Sequence, residues 1–260
     1  LAQVYGWHWG FGIAGIFMIA GVITYLSGYR YLPAKVERES GSDDEALTSA
    51  DRRRVAALAA VMALTIFQSI AYFQIFNVNP IWIQRQVAPT VAGFQVPIPW
   101  YQASNSFFAI LGVPLVLAIW RHQARRGGEP SDVGKIGVGS GLTVVSNLVL
   151  VGAILLAGSG LVHPIWPVLY SFLLGIAFLY YWPTLLALVS RAAPAKLKAT
   201  LMGFTFMTLF VANMLIGWIG GFYERMSPSA FWSLHAAIGA VGGIAVAIFG
   251  RRLDRLFRSR

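Results

Sequence analysis

Four histidines, ten carboxylates and no cysteine are all that this 260-residue chain offers for acid–base, covalent or metal chemistry. His8, His122 and His163 fall in connections or at segment ends, and His235 lies inside an apolar run near Trp232. None is spaced to pair with a nucleophile or to join a cluster of metal ligands. Without thiols there is no disulfide or thiolate site. The acids Glu37, Glu39, Asp43, Asp44, Glu45, Asp51, Glu129, Asp132, Glu224 and Asp254 all fall outside the long apolar segments. A charge at mid-bilayer costs several kcal/mol and usually marks an ion or proton path. These residues therefore predict no enzyme, no cofactor, no metal and no proton relay within the chain itself. His235 reads as a packed or interface-facing side chain.

The elements that must position any site follow from bulk composition. Hydrophobic residues make up 57% of the chain and charged ones 12%, against about a quarter charged in soluble domains. Seven segments, near 10–32, 55–82, 100–120, 136–157, 165–189, 200–222 and 230–249, are long enough to cross roughly 30 Å of hydrocarbon. An all-α membrane protein is expected. The longest connection, Pro33–Arg54, is rich in Glu, Asp, Ser and Arg and reads as a solvated linker. The chain opens at Leu1 on a hydrophobic run with no basic n-region and no cleavage site. A retained span, part of something longer, is expected there.

Charge gives these spans a direction. The connections after spans one, three, five and seven carry eighteen of the twenty basic residues, and the alternate ones carry only Arg85 and Arg225. The positive-inside rule then predicts a multi-pass membrane protein with its C-terminus in the cytoplasm, and a bacterial-type inner membrane is the expected location. A net charge of +10 that alternates with every crossing excludes a nucleic-acid surface; the lipid bilayer is the partner it fits. Trp7, Trp9, Trp82, Trp100, Trp120, Trp166 and Trp232 fall near segment ends and are expected as interfacial anchors, while Trp182 lies deeper. Gly217–Gly221 and Gly239–Gly243 are expected as packing faces. Pro80, Pro114 and Pro183 interrupt helical hydrogen bonding inside spans, as cavity-lining helices of transporters often do.

Three runs carry a family resemblance. Gly6-Trp7-His8-Trp9-Gly10-Phe11-Gly12-Ile13-Ala14-Gly15 resembles helix six of the proton-dependent oligopeptide transporters, a branch of the major facilitator superfamily. Ile98-Pro99-Trp100-Tyr101-Gln102-Ala103-Ser104-Asn105 resembles the start of that family's helix eight, and Leu188 to Leu197 with Leu201-Met202-Gly203 resembles its link between helices ten and eleven. The resemblance covers essentially the whole chain. It implies the major facilitator fold, twelve helices in two halves with substrate between them, of which about seven are present here. Residues 1–32 would be helix six, 33–54 the cytoplasmic linker and 55–260 the C-terminal half, completed by an N-terminal half that precedes them.

The departures from the family pattern sharpen the expectation. Aligning Tyr72-Phe73-Gln74 on the family's "FEQ" puts Phe73 where its proton-linked glutamate belongs. In helix ten, Phe178 stands for the glutamate that meets the peptide's amino group and Trp182 for a serine, while helix eight keeps Asn105, which in the family hydrogen-bonds the peptide. The resemblance thus implies a secondary transporter of di- or tripeptides or a related solute, with protons as a coupling partner through the preceding half. Uniport or another coupling also stays open. Its expected site is aromatic, made of Phe73, Phe178, Tyr180 and Trp182, with Tyr72, Gln74, Asn77 and Asn105 as polar contacts. The alternative is a non-transporting receptor or assembly-type membrane protein that keeps the fold.

Overall fold

Thr48 and Asp51 form a reciprocal cap in which Asp51 N–H donates to Thr48 Oγ1 at 3.1 Å and Thr48 N–H donates to Asp51 Oδ2 at 3.2 Å. Two of the free amides at a helix start are satisfied in this way, and the helix begins within the predicted linker. The computed structural model describes residues 6–31 and 47–258. Most of the linker, residues 33–46, lies outside the described residues, and its part from Ser49 onward is helical rather than loop.

The chain divides into two units, residues 1–46 and 47–260. In the first, α1 (Trp7–Gly28) ends in the 3-10 turn Tyr29–Tyr31. In the second, α2 (Ser49–Phe73) passes through the 3-10 turn Gln74–Phe76 into a short α3 (Val78–Gln86). The two-residue strands β1 (Thr90–Val91) and β2 (Phe94–Gln95) pair as a small hairpin. Five long helices follow: α4 (Ile98–Arg125), α5 (Asp132–Ala157), α6 (Ile165–Ala192), α7 (Lys198–Gly220) and α8 (Pro228–Arg258). Among the described residues seven helical segments are long and apolar enough to cross a membrane, in the order the sequence predicts. Length and apolarity are legible from sequence because lipid leaves a spanning backbone no partner but itself.

Within the second unit α5 packs between α6 and α8, α2 lies against α8 and α7, and α4 lies against α6. One apolar cluster holds Trp82, Tyr170, Phe231 and Trp232, and the other holds Leu58, Ile136, Tyr181, Leu185 and Val189. Between them runs a belt of polar pairs. Ser140 Oγ donates to Gln68 Oε1 at 2.9 Å, and the hydroxyls of Ser69 and Tyr181 lie 2.6 Å apart. Such pairs hold spans together where lipid competes poorly for polar groups.

Several expectations need correction. The second span does not continue to residue 82; it breaks at Gln74–Asn77. Proline at position 80 supplies no N–H, and its ring crowds the carbonyl four residues back, at Phe76. The helix therefore gives way before the proline. Helices α4 and α6, in contrast, run through Pro114 and Pro183. Trp82 and Trp232 are fully buried and meet edge to face at 5.9 Å; they are core residues, not interfacial anchors. Trp100 does remain exposed. Gly239 and Gly243 pack against Ala71, Val144 and Ser140, but a Cβ at Gly217 would meet nothing within 4 Å. The packing glycine of that helix is Gly220, where a Cβ would lie 2.7 Å from Asn77 Nδ2.

Lys135 is not in a loop. It occupies the first turn of α5, 8% exposed, with Nζ 4.1 Å from the centroid of the Trp120 ring and an ion pair to Glu129. Arg191 pairs with Asp132, and Ser131 donates to Asp254. These contacts gather the ends of α4, α5, α6 and α8 into one polar cluster, at the end of the unit where most of its basic residues lie. Among the described residues the opposite end carries one ion pair, Arg85–Glu224 at 2.8 Å, with side chains 53% and 65% exposed. Screening leaves exposed pairs about 0–1 kcal/mol. Arg85→Ala is thus expected to move the thermal unfolding midpoint in detergent by no more than a few degrees.

Candidate functional site

The break after α2 is where site residues concentrate. At Asn77 the backbone turns to φ −108° and ψ −85°, ending the second span and separating it from the short helix α3. Two side-chain amides then reach across to α7. Asn77 Nδ2 donates to the Ile216 carbonyl at 3.2 Å, and Gln74 Nε2 approaches the same oxygen at 3.5 Å. Gln74 is fully buried, so it braces the break instead of facing a cavity. Beside these residues opens a pocket of about 300 Å³, lined by Phe73, Phe76, Asn77, Asn213, Ile216 and Gly217. The rings of Phe73 and Phe76 stand 6.3 Å apart.

A second group is centred on Tyr72. Its hydroxyl donates to Asn105 Oδ1 at 3.0 Å; Asn105 Nδ2 donates to the Ser171 carbonyl at 3.2 Å, and Ser171 Oγ to the Tyr101 carbonyl at 2.9 Å. This circuit joins α2, α4 and α6. The Tyr72 ring meets Phe73 edge to face at 5.0 Å and Phe178 at 5.9 Å. Asn105 is only 3% exposed, with both ends of its amide engaged by the protein. In this structure it acts as a fastener for Tyr72. The circuit depends on Gly175, where a Cβ would lie 2.8 Å from the Asn105 carbonyl oxygen.

The remaining aromatics diverge. Tyr180 packs edge to face on Trp120 at 5.3 Å, and Trp182 on Phe206 of α7 at 5.6 Å. The eight expected site residues therefore do not form one cavity. Tyr72, Phe73, Asn105 and Phe178 are contiguous, Asn77 joins them through Phe73 and the helix break, and Tyr180 turns away towards α4. At about 100° per residue, positions 178 and 182 share a helix face while 180 lies on the other side. Sequence reasoning missed Phe76 and Asn213, which line the pocket. The signal for Asn213 was present: a lone amide inside the run Phe210-Val211-Ala212-Asn213-Met214-Leu215-Ile216 is costly in lipid unless it has a use. His235 is fully buried, with Nδ1 bonded to the Phe231 carbonyl at 2.9 Å, as a packed histidine should be. Among the described residues no three His, Asp or Glu side chains gather to hold a metal.

Comparison with known proteins bears on this geometry. The model of the POT family (PTR2) matches residues 40–233. The peptide transporter YePEPT of Yersinia enterocolitica is 24% identical, over 89% of this chain and 59% of that protein. A dipeptide and tripeptide permease A of Citrobacter koseri is 29% identical, over 70% of this chain and 36% of that protein. Among solved structures, a peptide transporter POT in complex with sulfate superposes with a TM-score of 0.76 at 23% identity, over 99% of this chain and 50% of the other. A POT family transporter in complex with 5-aminolevulinic acid gives 0.73 at 18% identity, over 97% and 56%. The chain spans little more than half the length of these proteins, or less. The fold is the one that POT transporters of the major facilitator superfamily share.

Proposed function

Because this chain belongs to the POT family, whose members are multi-pass membrane transporters, we propose that the protein containing it is a secondary transporter. It moves di- or tripeptides, or a related small solute carrying similar groups, by alternating access between two halves. Residues 1–32 act as the last helix of the first half, and residues from Ser49 onward as the second half. The protein sits in a bacterial-type plasma membrane with its C-terminus in the cytoplasm, where the basic helix ends belong. Chemistry on the substrate is not needed; a site near the midplane that two rocking halves expose in turn is enough.

The observation that carries this reading is the broken helix at Gln74–Asn77, beside the Tyr72, Phe73 and Phe178 aromatics. The break closes the second span, whose apolar stretch ends at Phe76, and non-helical backbone bordering lipid must be buried in protein or line a cavity. Here it borders an open pocket. Phe73 and Phe178 stand where the family has carboxylates, so this half binds through rings and neutral amides. Proton coupling, where it operates, falls to groups in the preceding half.

The test is uptake of labelled di- and tripeptides by proteoliposomes holding the full-length protein, with and without an inward proton gradient. Peptide accumulation that exceeds protein-free liposomes is the expected result, and a gradient-driven rise locates coupling in the preceding half. Absence of peptide uptake under both conditions overturns the peptide reading, and a panel of related non-peptide solutes that also fails to accumulate overturns transport. That second failure would favour the receptor-type reading that the missing carboxylates also motivate.

A further inference from the structure

The pocket at the helix break has a one-sided hydrogen-bonding character. Asn213 Nδ2 donates to the Leu209 carbonyl at 2.8 Å, as Asn77 Nδ2 does to the Ile216 carbonyl. A carbonyl oxygen can only accept, and only the nitrogen end of a side-chain amide can donate to it, so these bonds fix which way each amide faces. The two Oδ1 atoms are the ends left over, and neither has a hydrogen-bond partner among the described residues. Behind them Gln74 Oε1 is buried and also unpaired, its Nε2 directed at Ile216. Two neutral acceptors, on Asn77 and Asn213, thus belong to one 300 Å³ space whose walls include the rings of Phe73 and Phe76, with Gln74 buried behind it. No Lys, Arg, Asp, Glu or His lines it.

A group suited to this space donates hydrogen bonds, accepts none and tolerates an aromatic face. An ammonium group has three donors and no acceptor, and a cation within about 6 Å of a ring centroid gains roughly 0.5–2 kcal/mol or more as it is desolvated. A carboxylate would meet acceptor oxygens and ring faces, both repulsive. We propose that Asn77, Asn213, Phe73 and Phe76 form a charge-neutral site for a primary ammonium group, the substrate's own amino group on the transport reading above. Recognition by amide oxygens and π faces then takes the place of a carboxylate partner. Asn213 is a binding and specificity residue of this site.

Gly217 offers a direct readout. It lines the pocket, a side chain there meets nothing within 4 Å, and the chain has no other thiol to compete. In the full-length protein carrying Gly217→Cys, with any cysteine outside this chain replaced, the rate of alkylation by an uncharged maleimide is measured against added butylammonium or 1-butanol. Butylammonium is expected to slow labelling, with no protection from equal 1-butanol. Asn213→Leu should raise the half-protecting concentration about tenfold or more, as expected for losing one hydrogen bond to a charged group. Asn213→Asp, which supplies a formal charge, should lower it, so a misfolded leucine variant does not end the test. Equal protection by the alcohol, no protection by either, or protection indifferent to both Asn213 substitutions overturns the proposal. Protection without peptide uptake keeps the ammonium site and removes the peptide reading; uptake without protection does the reverse.

Discussion

Asn105→Leu is expected to cut peptide uptake by the full-length protein about tenfold to a hundredfold. Leucine preserves the volume but leaves the buried Tyr72 hydroxyl without an acceptor and the Ser171 carbonyl without its amide partner. Each orphaned buried polar group costs about 1–3 kcal/mol. The loss falls on the ring that borders both Phe73 and Phe178, so it reaches the site as well as the fold. A double-mutant cycle separates the two partners. Tyr72→Phe removes the donor, and the pair Tyr72→Phe with Asn105→Leu should cost less than the sum of the single changes, because the second substitution removes a defect left by the first. Strict additivity, by thermal unfolding in detergent and by uptake, would show that the Tyr72–Asn105 bond contributes nothing.

Gly175→Ala is expected to destabilise the helical unit by about 1–3 kcal/mol, the usual range for overpacking a close-fitted interior. The added methyl would lie 2.8 Å from the Asn105 carbonyl oxygen and 2.9 Å from the Ala109 nitrogen. Both are backbone atoms of α4, so no side chain can swing aside, and α4 and α6 must separate. That separation lengthens the Asn105–Ser171 and Ser171–Tyr101 bonds together, so uptake should fall along with stability. Gly152→Ala provides the control, since a methyl there meets nothing within 4 Å. Replacing a mid-helix glycine without a clash should leave the protein unchanged or stabilise it by about 0.5–1 kcal/mol. Similar unfolding midpoints for the two variants would refute the close-contact account of Gly175.

The spans were readable from the sequence because their physics is one-dimensional: enough apolar residues in a row must lie in lipid. The site was not, because it depends on angle as well as on order. Phe178, Tyr180 and Trp182 look like one aromatic patch in sequence, yet the helix turns Tyr180 onto Trp120. Asn105 carried a binding expectation through resemblance, but its amide is consumed by Tyr72 and Ser171, partners 33 and 66 residues away. Trp82 and Trp232 sit where interfacial anchors usually sit, and only tertiary packing shows that they face each other. Pro80 did signal an interruption, although the break lies just upstream of it, where its ring meets the preceding turn. Asn213 was equally visible as a lone polar residue, but the pocket it lines is completed by Phe73, Phe76 and Asn77, which lie more than 130 residues away in sequence.

The last helix, α8, is an unbroken rod of 31 residues, about 46 Å long at a rise of 1.5 Å per residue. It is held near one end by the Trp232 rings, in the middle by the close approach of Gly239 and Gly243 to Ala71, Val144 and Ser140, and near the other end by the Asp254 contact to Ser131. A rotation of about 5° around the Trp232 end would carry Asp254 through about 3 Å over the intervening 33 Å or so of helix. A tilt of that size would open the glycine contacts and the Ser131 bond together, so α8 and α5 are expected to travel as one body.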